Sequence, residues 1–264
     1  MARTKFHALL IRLWGAALLC LCVSANALDV SRPVISIIID DIGYSRSLGE
    51  QALALPHGVT LAILPFAPYS KHFSEKAQNQ GREFMLHIPM KGHENENLDP
   101  GILTSDMSEA EFIAAIESNL DALDGYAGIN NHKGSELTAD EEKMRLFLQQ
   151  VAKRERLFVI DSKTTRQSYL SRFASTFGVP YASRNVFLDV DRSPDAIKEQ
   201  FSLLLAKAKQ KGYAIAIGHP HPETLATLSE LLQDDLREEF LLLPVQQQLE
   251  LRQHGNRLAT AGFD

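Results

Sequence analysis

Asp40 and Asp41 stand side by side where an apolar, β-branched run, Val34 to Ile39, comes to an end. Such a run reads as a strand buried on both faces. Two carboxylates at its carboxyl end repel each other and lose hydration, a cost relieved when one ligates a cation and the other keeps a tuned proton affinity as a base. The same four residues, Asp40-Asp41-Ile42-Gly43, could instead form a strand-to-helix turn, with an Asp accepting backbone N–H bonds and no chemistry at all. Further along lie His87 in His-Ile-Pro-Met, then Asn130-Asn131-His132-Lys133-Gly134-Ser135, Asp161-Ser162-Lys163, Asp189-Val190-Asp191 and Gly218-His219-Pro220-His221. Imidazoles and carboxylates without cysteine suit Zn2+ or another borderline divalent ion with an open water position. Each residue has a plainer reading: a lone His in a turn, Asp161, Asp189 and Asp191 ahead of helix starts, Asn130-Asn131 as turn formers. His57, His72, His93 and His254 fall elsewhere and read as surface residues.

The elements that must position this set alternate along the chain. Short apolar or β-branched runs recur at 34–39, 60–64, 83–88, 128–130, 157–160, 186–190 and 214–217, mostly separated by stretches of helical period, which is the pattern of parallel βα units. Seven units result. Ser108-Glu109-Ala110-Glu111 and Thr138-Ala139-Asp140-Glu141 have capping-box form, Ser193-Pro194 opens a further helix, and Gly212 closes it. The polar residues singled out fall at carboxyl ends of strands, the face on which parallel α/β folds bind ligands. Coincidence of His87, His132 and His219 with Asp41 on one rim favours chemistry over turn structure. The segment 91–107 is polar, contains Pro100-Gly101 and lacks an apolar period, so it reads as a long surface loop of the kind that tends to be functional.

Residues 1–27 carry Arg3, Lys5 and Arg12 and no acid, then an apolar stretch and Ser24-Ala25-Asn26-Ala27, the form of a cleaved secretory leader. Both cysteines, Cys20 and Cys22, lie within it. The exported chain, starting at Leu28, would hold no thiol, so neither disulfides nor thiolate metal ligands are expected. With 27 Lys and Arg against 33 Asp and Glu, the formal charge is −6, and loss of the three leader residues takes it to −9. That disfavours nucleic acid and anionic membrane as partners, and no stable membrane insertion is expected after cleavage. The expected organisation is a leader (1–27), one barrel domain (28–245) and a polar tail (246–264), loosely helical or disordered.

The wording Ile-Ile-Asp-Asp-Ile-Gly, His-Ile-Pro-Met, Asn-Asn-His-Lys-Gly-Ser, Ile-Asp-Ser-Lys-Thr and Gly-His-Pro-His-Pro resembles the polysaccharide deacetylase superfamily, in particular its divergent, YibQ-type branch of exported proteins. The resemblance runs from about Val34 to Leu243. It implies an α/β fold, a distorted seven-stranded (β/α) barrel, and a metal-dependent hydrolase removing N-acetyl groups from amino-sugar polymers such as peptidoglycan, in the periplasm or outside the cell. It also implies roles: Asp40 as general base, His219 as general acid, and Asp41 and His87 as ligands of a divalent metal, expected to be Zn2+. Better-known members place a second histidine four residues after the first, where this chain has Lys91. A lysine ammonium cannot ligate. His132 is expected to supply that imidazole from strand four. Asn131, Ser135, Asp161 and His221 are candidates for substrate contact or for support of the site. A non-catalytic glycan-binding or envelope-assembly protein that kept the barrel is the alternative.

Overall fold

The computed structural model describes residues 32–93 and 99–261. The expected leader lies outside the described residues. Among the described residues, nine strands and nine helices follow one another: β1 (Val34–Ile42), α1 (Arg46–Ala54), β2 (Val59–Ile63), α2 (Ser70–Asn79), β3 (Phe84–Met90), α3 (Glu109–Leu120), β4 (Gly128–Lys133), α4 (Glu141–Val151), β5 (Phe158–Asp161), α5 (Leu170–Thr176), β6 (Tyr181–Ser183), β7 (Val186–Phe187), α6 (Pro194–Lys211), β8 (Tyr213–Gly218), α7 (Pro222–Leu231), α8 (Asp234–Glu239), β9 (Leu241–Leu242) and α9 (Val245–Ala261). All pairings are parallel, in the order β6-β5-β4-β3-β2-β1-β8-β7, with β9 beside the start of β1.

The sheet curls into a barrel because one short segment changes partners. β6 pairs with β5 and β7 with β8, and the two residues between them continue the exchange, Arg184 N–H donating to Asp161 O and Asn185 N–H to Ile215 O. The sixth expected unit is therefore split into two strands, of which only Val186–Phe187 overlaps the run read from the sequence. The ring still has seven positions. Other departures are small: Thr138 is not an N-cap, since Leu137–Ala139 forms a 3-10 turn and Asp140 caps α4, whereas the Ser108–Glu111 capping box, Pro194 after Ser193, and left-handed Gly212 are as expected.

Strand parity decides what faces where. Ile35, Ile37 and Ile39 pack in the large core under the helices, together with Phe84, Leu86, Ile88, Ile129, Val159, Ala214 and Ala216. Ile38, Met85, Phe158, Ile160, Ile215 and Ile217 form a second cluster with Ala62 and Ala182, which fills the barrel itself. Asp40, His87, Asn130, His132 and His219 share the parity of this inner set. Each sits at its upper end, so an apolar floor underlies a polar mouth.

The polar tail, expected as a loose helix or disorder, is helical through residue 261, and the start of α9 plugs the barrel from below. Val245 and Leu249 join the inner cluster. Gln248 Nε2 donates to Ala214 O at 3.1 Å, and the Glu83 carboxylate accepts from Val245 N at 2.8 Å and Gln246 N at 3.0 Å, capping the helix N-terminus. Glu83→Ala is expected to cost about 1–2 kcal/mol, the usual worth of a helix cap, read as a lower denaturant midpoint at unchanged m-value. An unaltered midpoint would refute the capping role.

Candidate metal centre and active site

Adjacent residues on a strand normally face opposite ways, yet both Asp40 and Asp41 reach the barrel mouth. The cause is local. The β1–β2 register shifts between Ile39 and Ile42, and Asp41 takes a left-handed conformation, φ +56°, one that Asp tolerates better than most residues. As a result His87 Nε2 lies 3.7 Å from Asp40 Oδ2 and 3.1 Å from Asp41 Oδ1.

His132 completes a compact group. Its Nδ1 is 2.8 Å from Asp41 Oδ1 and 3.1 Å from His87 Nε2. All three edges of the triangle are thus close to 3 Å, so a single point can lie about 2.1 Å from each corner, the length of a Zn–N or Zn–O bond. Asp41 Oδ1 is buried but accepts no hydrogen bond of acceptable angle from either ring, despite their closeness. Three ligand atoms within about 3 Å of one another, one of them a buried and unsatisfied carboxylate oxygen, fit a divalent cation. Burial pushes the Asp41 carboxyl up, and the His132 and His87 imidazoles override this, holding it well below the usual carboxylate range.

The His87 tautomer is set from behind. Its Nδ1 is 2.7 Å from Asn130 Oδ1, while Asn130 Nδ2 donates to Asp40 Oδ1 at 2.7 Å. With its amide oriented by donation to a carboxylate, Asn130 accepts from His87 Nδ1–H and leaves the Nε2 lone pair facing the triangle. Asn130 thereby also fixes Asp40. Burial raises the Asp40 carboxyl above its ordinary range, opposed by His87 and His219.

His219 enters from β8, paired with a residue the sequence offered only as part of a strand end or helix start. Its Nδ1 is 2.9 Å from Asp189 Oδ1, and Asp189 Oδ2 accepts from His219 N at 2.6 Å and Thr224 Oγ1 at 2.9 Å. Burial alone would lower the His219 pKa; the hydrogen bond to Asp189 overrides it and lifts the imidazole to about 9. Asp189, His219 and His221 also lie close enough to share an ion. The Asp189 oxygens are already engaged by donors, so the group is an Asp–His pair with its imidazole held protonated.

The remaining candidates do not join the triangle. Asn131 has the outward parity, and its side chain bonds Lys133 O and Ser162 N, tying β4 to β5. Asp161 is buried on the same outward side as Val159 and accepts from Lys163 N at 2.8 Å. Ser135 Oγ accepts from His93 N. His221 caps α7 without a side-chain bond, its ring 5.9 Å from that of His219. Lys91 lines a surface cleft with Ile102, Asp106 and Glu136, and the place it leaves is filled from β4 by His132. Asp99 also reaches this group, its Oδ2 3.2 Å from His132 Nε2. No sequence signal marked Asp99; Asn130, two residues before His132, could have been found from strand period alone.

A metal-ready triangle beside a buried carboxylate, at the mouth of a curled parallel barrel, defines a class of protein. Residues 37–249 match the family described as divergent polysaccharide deacetylase, and the chain belongs to that family. A relative in Escherichia coli, the uncharacterized protein YibQ, is 34% identical over 212 residues, covering 79% of this chain and 66% of its own length. Among solved structures, an uncharacterized protein from Agrobacterium tumefaciens superposes with a TM-score of 0.78 at 21% identity, covering 81% of this chain and 88% of that one. A mutant of the peptidoglycan deacetylase PdaC from Bacillus subtilis superposes at 0.54 and 12% identity, over 89% and 99% of the two chains. These two likenesses establish the deacetylase type of barrel.

Proposed function

We propose that the chain is an exported, metal-dependent amide hydrolase that removes N-acetyl groups from amino-sugar polymers or oligomers, peptidoglycan-like glycans among them. The observation that carries this reading is the Asp41–His87–His132 triangle with Asp40 adjacent and outside it. Asp41, His87 and His132 would hold the ion, with Zn2+ the best match to two imidazoles and one carboxylate. When bound, it would acidify water and polarise the acetamide carbonyl.

The protein's own groups divide the remaining work. Asp40, held by Asn130 and raised by burial, accepts the proton of the attacking water. His219, kept protonated by Asp189, delivers a proton to the departing sugar nitrogen. Both shifts are upward, which makes the Asp40 carboxylate a stronger base and keeps the His219 imidazolium charged as an acid. Around the mouth, Tyr44, Phe66 and Tyr69 expose 48%, 39% and 37% of their surfaces; flat aromatic faces of this kind suit the C–H faces of pyranose rings. The leader-like residues 1–27 support export to the periplasm or beyond, with 28–245 as the barrel. PdaC, named a peptidoglycan deacetylase, supports the glycan class through its shared fold.

The test is to purify the mature chain, measure bound metal, and assay acetate release from N-acetylglucosamine oligomers and peptidoglycan fragments. About one metal ion per chain and acetate release are expected. Absence of both would overturn the reading.

A further inference from the structure

His132 is bracketed at both ring nitrogens. Nδ1 belongs to the triangle, and Nε2 faces Asp99 Oδ2 at 3.2 Å. Asp99 is itself pinned, its Oδ1 accepting from Tyr44 Oη at 2.9 Å and its Oδ2 lying 3.1 Å from Lys133 Nζ. The stretch that follows it is held to β3: Met90 bridges Leu103, Lys91 N–H donates to Leu103 O, Leu103 N–H to Pro89 O, and Leu103 is fully buried. Three separate segments, the turn after β1, the stretch starting at Asp99 and the end of β4, therefore meet on one carboxylate behind one imidazole.

A neutral imidazole has a single N–H. With a cation taken at Nδ1, the ring's one hydrogen is at Nε2, where the Asp99 carboxylate accepts it and fixes the ring's orientation. Asn130 performs the same service for His87 from inside the barrel. We propose that Asp99 is the positioning residue that makes His132 a metal ligand, so that the stretch carrying Asp99, and not β4 alone, sets the metal affinity of the site. This deepens the proposed function and rests on its metal triangle. It also accounts for how the chain can dispense with a histidine at Lys91: an imidazole recruited from another strand is oriented by a carboxylate recruited from a loop.

The experiment compares wild type, Asp99→Ala and Asp99→Asn as mature chains. Zn2+ affinity is read by competition with a chromophoric chelator, and the His132 Nε2–H is read by NMR in the Zn2+-saturated chain. Asp99→Ala is expected to weaken Zn2+ binding about 10–100-fold, the usual cost of losing an outer partner of a ligating imidazole, and to move the His132 Nε2–H resonance and speed its exchange with water. Asp99→Asn, whose amide oxygen still accepts from Nε2–H, should recover most of the loss and serves if the alanine variant folds poorly. Wild-type affinity retained within about twofold in both variants would overturn this inference alone. So would weakened binding with unmoved His132 resonances, which would point to general loop damage. A wild-type chain that binds no Zn2+ overturns the metal reading as well.

Discussion

Asp40→Asn should keep its metal and lose turnover by about 10²–10⁴-fold, the worth of a positioned general base, whereas Asp41→Asn should lose the metal itself. The two neighbours differ because their oxygens do different things. Asp40 Oδ1 accepts from Asn130 Nδ2, a bond that an asparagine carbonyl oxygen can reproduce, and Asp40 Oδ2 stands 3.7 Å from His87 Nε2, outside the triangle. Replacing it removes a proton acceptor and leaves the ligand set in place. Asp41 Oδ1 is a corner of that set. Asparagine is the right replacement at position 41 because it tolerates φ +56°; alanine would add about 1–2 kcal/mol of left-handed backbone strain and confuse the result. With a ligand gone, affinity should fall by more than the roughly 10–100-fold cost of losing an outer partner. Metal content by mass spectrometry and acetate release separate the two outcomes. Loss of metal from Asp40→Asn, or retention of metal and turnover by Asp41→Asn, would contradict the division of labour.

Asp189→Asn should move the alkaline limb of the pH–rate profile toward neutrality. His219 stays protonated up to about pH 9 because, against the effect of burial, it donates to the Asp189 carboxylate. Burial likewise pushes Asp189 up, but His219 and Thr224 hold it low, so it faces the imidazole as an anion. Removing that charge should drop the His219 pKa by about 1–3 units, and activity should then decline from a correspondingly lower pH. The ring can be titrated directly by NMR. An alkaline limb unmoved in the variant would remove His219 as the acid. The same pair bears on stability, and the sign follows from linkage. The folded pKa of about 9 exceeds the unfolded value of about 6.5, so the contribution is complete below about pH 6.5 and fades as pH rises through 9. Denaturation at pH 6 should therefore separate wild type from Asp189→Asn more widely than denaturation at pH 10.

The departure from the better-known ligand spacing also becomes intelligible. In β3, a residue four positions after His87 lies beyond the strand end, Met90, and Lys91 is drawn into the turn that receives Leu103. His132, paired with Pro89 in register, stands on the neighbouring strand at the height where an imidazole is needed. Neighbouring parallel strands can exchange a ligand in this way because their mouths are level.

Much of the site was legible because its residues end strands. Asp40, Asp41, His87, His132 and His219 lie at or beside the ends of the short strand runs, and parallel βα alternation places such ends on one face. Asp189 had the same signal, but Asp191-Arg192-Ser193-Pro194 made it read equally as the approach to α6. Asn130 was hidden by Asn131, since two adjacent asparagines look like turn chemistry until parity shows one inside the barrel and the other tied to Ser162. The α9 plug was hidden by its polarity, because Val245 and Leu249 are few among glutamines.

By itself the sequence determined the strand–helix alternation, the ring of seven positions and the residue types at its mouth, since these depend on local period and on where apolar runs stop. Tertiary structure alone decided which carboxylates and imidazoles meet. An unbroken isoleucine run conceals which alternate residues face inward, and only the register shift and left-handed turn at Asp41 put both aspartates on one side. Asp99 comes from a stretch with no period at all, held by long-range bonds to Tyr44 and His132 that no spacing along the chain encodes.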